Sequence, residues 1–157
     1  MFSTSDTIVA IATPAGRGGL GVVRLSGPDA SRIAGVLIGR TKPLKPRHAT
    51  FAKRADDHVV CTLFEAPRSY TGEQVVELSA HGSPVVLNSI LRAAIDAGAR
   101  LAEPGEFTLR GFLNNKFDLV QADATLGEVF APRFGKHFQL RPLEHPWPRP
   151  HQLVPGL

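Results

Sequence analysis

The residues predict an α+β fold, a mixed sheet with helices packed against it, and three observations carry that expectation. Short segments rich in β-branched residues are cut apart by glycine and proline. Two longer stretches repeat their apolar residues at helical spacing, and each closes on a glycine. The order of these segments is that of an α+β domain with a mixed or antiparallel sheet. At 157 residues and 43% hydrophobic, the chain can bury the core of one domain and is too short for two large ones.

The first strand candidate is TIVAIAT, residues 7–13, and the second is GVVRLS, residues 21–26. Pro14, Gly16, Gly18 and Gly19 lie between them, so the pair reads as a hairpin-like start joined by a glycine loop. Pro28 suits a first helical position and opens a helix through Ile33, Ala34, Leu37 and Ile38, ended by Gly39. RTKPLKPRH is then a loop. Residues 48–53, 58–65 and 73–80 supply three more strands, with AP and SYTG as punctuation before the last. Ser83 and Pro84 start a helix that Gly98 closes; Asn88, Arg92 and Asp96 form its polar stripe, and Leu87, Ile90, Leu91, Ala94 and Ile95 its buried side. After Pro104 and Gly105 a short helical segment reaches Leu113. Asp118 and Gln121 then read as a capping box for a helix starting at Leu119, with Leu119, Ala122, Leu126 and Val129 on its apolar side.

Residues 127–157 form an atypical tail. From Ala131 onward there are six prolines and no usable periodicity, so this segment is expected to be disordered or loosely attached. The abrupt change at Ala131 also raises truncated or out-of-frame translation as its origin. Residues 131–157 hold Arg133, Lys136, Arg141 and Arg149 against Glu144, which is three of the four net positive charges of the chain. A high pI alone is therefore weak ground for a nucleic-acid face. Cys61, the single cysteine, lies in the apolar run HVVCTLF, where its usual role is that of a small buried hydrophobe. A reducing cytoplasm fits it. No basic signal region and no run of about 20 apolar residues is present, so neither export nor membrane insertion is expected.

Several patterns bear on chemistry. GRGGLG, residues 16–21, matches a dinucleotide signature through Gly16, Gly18 and Gly21, but a strand-like segment follows where a helix is required, and the acidic residue some 20 positions on is missing. The glycines are better read as allowing a turn or a close approach. Strand periodicity places Val22, Arg24 and Ser26 on one face, and Val75, Glu77 and Ser79 on one face of another strand. Arg24 and Glu77 either neutralise each other across the sheet or face a cleft for a ligand with matching groups. A carboxylate such as Glu77 accepts two parallel hydrogen bonds from an amino-pyrimidinone edge, and Arg24 and Lys116 can hold carboxylates. Lys116 precedes a predicted helix N-terminus, where a cation is disfavoured unless an anion is shared; the plain alternative is a solvated loop lysine. His81 before Gly82 reads as a turn residue, since no nucleophile accompanies it. The histidines of the tail, His137, His145 and His151, have no metal-ligand spacing. No phosphate-loop pattern occurs, so cleavage of GTP or ATP is not expected of these residues.

Three stretches, DTIVAIATPAGRGGLGVVRLSG, SYTGEQVVELSAHGSPVVLN and PGEFTLRGFLNNKFDLVQADA, together resemble the N-terminal domain of the tRNA modification GTPases MnmE, also called TrmE. They stand in the family's order and span about residues 6–126, and the domain boundary is placed at 126. The resemblance implies a fold similar to the tetrahydrofolate-binding domain of glycine-cleavage aminomethyltransferases. It implies a homodimer that binds formyl-tetrahydrofolate, with the folate contacts falling on Arg24, Glu77 and Lys116. The full-length family also uses GTP, magnesium and potassium, and works with an MnmG-type FAD protein on the wobble uridine of tRNA. Gly111, Asn115 and Phe117 depart from the family's pattern beside Lys116. The reading is thus a folate-binding and dimerisation module without its GTPase domain and without catalytic residues of its own. Its alternative is a stand-alone folate-dependent one-carbon transferase, and a dinucleotide-dependent oxidoreductase rests on the glycine pattern alone.

Overall fold

A computed structural model describes residues 5–54 and 57–117. Six strands and three helices follow in the order β1 (Ile8–Ile11), β2 (Gly18–Ser26), α1 (Ala30–Leu37), β3 (Thr50–Lys53), β4 (His58–Phe64), β5 (Val75–Gly82), α2 (Pro84–Asp96), β6 (Arg100–Leu101) and α3 (Glu106–Leu113). The strands form one sheet in the order β3-β4-β5-β2-β1-β6. Neighbours are antiparallel except β1 and β6, which run parallel, so the sheet is mixed.

Alternation along the strands divides the residues between two faces. Val9 of β1, Val23 and Leu25 of β2, Val59, Cys61 and Leu63 of β4, and Val76 and Leu78 of β5 all join one buried cluster. Ile33, Ala34 and Leu37 of α1 and Leu87, Ile90 and Ala94 of α2 fill the same cluster from above. Each of the large side chains here contributes about 1.5–3 kcal/mol through removal from water. The opposite face presents Arg24 of β2 beside Glu77 of β5, which the register sets directly across from each other.

Several expectations shift by a few residues, each for a visible reason. Gly18 and Gly19 belong to β2 and not to a connecting loop, and the register of β2 on β5 shifts between Gly18 and Gly21. The close backbone approach here requires glycine at the partner position: a Cβ on Gly82 would stand 2.5 Å from the Gly18 carbonyl oxygen. Pro28 lies ahead of α1, whose N-cap is Asp29. Ile95 is exposed, because the buried stripe of α2 passes through Leu87, Ile90 and Ala94 and leaves Ile95 beyond its edge. The strand Arg100–Leu101 goes unpredicted, being two residues held by hydrogen bonds from the Arg100 and Ala102 amides to the Thr7 and Val9 carbonyls. The capped helix from Leu119 and the tail 127–157 lie outside the described residues.

Gly82→Ala should cost about 1–3 kcal/mol, as a side chain forced into packed backbone does. Urea unfolding followed by circular dichroism measures it, and a midpoint equal to that of the parent chain would refute the close-approach account.

Candidate functional site

The centre of the site is an ion pair between two half-buried side chains. Arg24 donates from Nε to Glu77 Oε1 at 2.8 Å, with the two side chains 23% and 28% exposed. Neutralisation across the sheet, one of the two readings that the sequence leaves open, is thus what the strands show. The pair is still not saturated. Among the described residues, Glu77 Oε2 and both Nη atoms of Arg24 have no hydrogen bond, so polar capacity remains on both partners.

A layer of aromatic side chains lies over this pair. The Arg24 guanidinium stands 4.8 Å from the ring centre of Tyr70 and 5.8 Å from that of Phe107, within cation–π range of both. Tyr70 packs in turn against Phe117 with ring centres 5.1 Å apart, and its hydroxyl lies 3.2 Å from Thr108 Oγ1. Phe117 follows Lys116 directly. Lys116 donates from Nζ to the Pro67 carbonyl at 2.9 Å, and its alkyl chain runs beside Gly72. A chain of contacts therefore runs from Glu77 through Arg24, Tyr70 and Phe117 to Lys116. The structure joins Arg24 and Glu77 directly and brings Lys116 to the same loop without a direct contact to either.

That loop is pinned by polar groups that sequence reasoning passes over. Ser26 Oγ donates to Glu73 Oε2 at 2.7 Å and lies 2.7 Å from the Oγ1 of fully buried Thr71. Asn114 Nδ2 donates to the Thr71 carbonyl, and Gly72 takes φ +78° with no room for a Cβ beside Asn114. Beneath it all lies Arg110 of α3, whose side chain is 1% exposed. It donates to Asp6 Oδ1 at 2.6 Å, to Glu106 Oε1 at 3.1 Å, to Glu73 Oε2 at 3.2 Å and to the Asp6 carbonyl at 2.8 Å. Arg100 joins the same carboxylates, reaching Asp6 at 2.6 Å and Glu106 at 2.6 Å. Glu106 and Arg110 are four apart on a helix, a spacing that is usually a solvated surface pair; only the docking of α3 buries them, which is why the sequence does not disclose the cluster.

The network fixes charge states. The hydrogen bond from Arg100, aided by Arg110, holds Asp6 below the ordinary carboxylate range against the opposing effect of burial. For Glu106 burial pushes upward, and the hydrogen bonds from Arg100, the Glu103 amide and Arg110 outweigh it, so its carboxyl is also lowered. Elsewhere, Asp57 accepts from the His81 amide at 2.8 Å and faces His81 Nδ1 at 2.6 Å, which ties the end of β5 to the start of β4. Burial raises the Cys61 thiol to about 12, with Arg40 opposing it, so Cys61 is a packed side chain and not a nucleophile. Among the described residues no group of histidine, cysteine or carboxylate side chains is arranged to hold a metal ion, and no helix is long and apolar enough to cross a membrane.

The family described as GTP-binding protein TrmE N-terminus matches residues 7–116. The tRNA modification GTPase MnmE of Francisella tularensis subsp. holarctica (strain OSU18) is 56% identical over 126 residues, which covers 77% of this chain and 28% of that protein. The protein of the same name from Francisella philomiragia subsp. philomiragia is 55% identical over the same coverage. The chain thus spans little more than a quarter of the length of these relatives. Arg24, Tyr70, Glu77 and Lys116 fall inside the matched span, and Phe117 lies one residue beyond it.

Because the native carboxylates of Asp6 and Glu106 are lowered, the unfolded chain binds protons first, near pH 4, and stability drains away as pH falls through the folded values. The urea midpoint should therefore hold from neutral pH down to about 5 and then decline steeply. Glu106→Gln should flatten that acid limb. An acid limb of the same steepness in Glu106→Gln would show that the network does not set it. Arg110→Met, which takes one of its two cations from buried Glu106, should cost about 3–5 kcal/mol at neutral pH.

Proposed function

Because the chain belongs to the family of the TrmE N-terminus, we propose that it is the formyl-tetrahydrofolate-binding and dimerisation module of a tRNA-modifying GTPase. The observation that supports folate binding is the half-buried Arg24–Glu77 pair with hydrogen-bonding capacity to spare, lying under an aromatic layer. A pterin presents two parallel N–H donors on one edge, and a carboxylate has lone pairs for more than two donors. Glu77 can therefore receive that edge while Oε1 continues to accept from Arg24. Tyr70 and Phe107 offer flat apolar surface to a ring system, and Arg24 or Lys116 offers a cation to the acidic glutamyl end. When bound, formyl-tetrahydrofolate supplies a one-carbon unit at the formyl level.

The rest of the assignment reaches beyond these residues. GTP hydrolysis, with its magnesium and potassium, is proposed for the complete protein and not for this span, which covers 28% of the length of a relative named as a GTPase. Work with an MnmG-type FAD partner on the wobble uridine of tRNA, in the cytoplasm, is proposed for the complete protein. Homodimerisation is drawn from the family, and sedimentation of the chain at micromolar concentration measures it.

Calorimetric titration of the chain with formyl-tetrahydrofolate should show saturable binding. Glu77→Gln should weaken it by about 1.5–3 kcal/mol, the worth of a charged hydrogen bond. Lys116→Met should weaken it while leaving the unfolding free energy within about 0.5 kcal/mol, since its one hydrogen bond is at the surface. Absence of binding by the parent chain would overturn the reading, and unaltered affinity in Glu77→Gln would remove Glu77 from the site.

A further inference from the structure

Residues 40–54 contain Arg40, Lys42, Lys45, Arg47, Lys53 and Arg54 and no carboxylate. With six cations here and a formal net charge of +4 for the chain, the remaining residues are net negative. The charge is thus strongly segregated. The fold gathers part of it at one place: Arg40, Thr41 and Lys42, just past α1, meet Thr50, Phe51 and Lys53 of the edge strand β3 around a cavity of about 350 Å³. Among the described residues no carboxylate lies within ion-pair distance of Arg40, Lys42 or Lys53. Arg40 Nε donates to the Lys42 carbonyl at 3.0 Å, which ties these two cations together and leaves the Nη atoms of Arg40 available.

A second observation narrows the ligand. Phe51 is 68% exposed although it is a large apolar ring. It stacks on the His58 ring, with centres 5.4 Å apart and planes 18° from parallel. The register sets His58 opposite Lys53, so this flat double ring adjoins a cation that lines the cavity. Cations for phosphate beside an exposed stacking surface is the combination that binds unpaired nucleotides. A flat exposed ring pair beside cations matches a base with its phosphate, whereas an anionic lipid headgroup or a carboxylate-rich peptide calls on the cations alone.

We infer that the β3 edge of the sheet, with Arg40, Lys42 and Lys53 for the phosphates and Phe51 on His58 for a base, is a binding site for single-stranded or looped RNA. The choice of RNA over DNA rests on the tRNA-modifying reading; the site itself shares no residue with the Arg24–Glu77 pair and stands without it.

Fluorescence anisotropy with a labelled RNA stem-loop and with the fully paired duplex of the same stem tests this. The intact chain should prefer the stem-loop. Arg40→Gln, Lys42→Gln and Lys53→Gln combined should reduce the slope of log affinity against log salt by about two to three, at 0.7–0.9 per phosphate contact. Phe51→Ala should weaken stem-loop binding about five- to a hundredfold and leave duplex binding unchanged. Replacing Arg133, Lys136, Arg141 and Arg149 by Gln should leave the loop preference in place. The inference is overturned if the tail variant abolishes binding while the triple variant does not, if Phe51→Ala binds the loop as well as the parent, or if DNA of the same sequence binds equally. Patch-dependent binding to phosphatidylserine vesicles with no RNA binding would overturn it in favour of lipid. Far-ultraviolet circular dichroism confirms that each variant is folded, and unchanged folate titration in the triple variant separates this site from the other.

Discussion

Arg110 is the constraint on which the site side of the sheet depends. A guanidinium with 1% exposure is tolerable only if carboxylates surround it, and Asp6, Glu73 and Glu106 come from three distant parts of the chain to do so. One side chain thereby fastens α3 to the residues before β1 and to the loop before β5. Phe107 and Thr108 on α3, and Asn114 and Lys116 just past it, take their places relative to Arg24 from that attachment. The apolar packing of α1 and α2 against the sheet, by contrast, lies on the other face. The two faces are thus held by different physics: apolar burial, which is indifferent to acid, and charge pairing, which is not.

The division also accounts for where a ligand site can arise. A face closed by interdigitated valine, leucine and isoleucine has no polar group to spare. On the face covered by α3 and the loop of residues 69–74, the cover consists of ions, hydroxyls and rings, and it leaves the Arg24–Glu77 pair only partly screened from water. Partial screening strengthens a hydrogen bond to an incoming group while still admitting it.

Most of the sheet was legible in the residues, since strand alternation separates Val23 and Leu25 from Arg24, and Val76 and Leu78 from Glu77, without any knowledge of the fold. The pairing of Arg24 with Glu77 was legible as one of two options; choosing between them needs the register, which no local pattern fixes. Arg100–Leu101 was not legible because two residues carry no periodicity and owe their strand to β1. The Arg110 cluster was hidden for a related reason: its members lie 6, 73, 100, 106 and 110 along the chain, and only Glu106 and Arg110 have a spacing that suggests contact. Of the glycines of residues 16–21, read as a turn or a close approach, Gly21 answers to packing: a Cβ there would stand 2.6 Å from the Leu87 side chain, a demand set by a helix far along the chain that the glycine pattern does not disclose.

The basic rim of β3 bears on how one molecule meets another. An edge strand offers unpaired backbone amides and carbonyls on which a foreign strand can build, the first step toward sheets that grow from copy to copy. Lys53 on the strand, with Arg40 and Lys42 beside it, gives that border a single sign of charge, so a second copy approaching edge to edge meets its own sign. The repulsion reaches about 8 Å at physiological ionic strength and shrinks as salt rises. Concentrated salt, by shortening that reach, lowers the barrier that keeps the borders of two sheets apart.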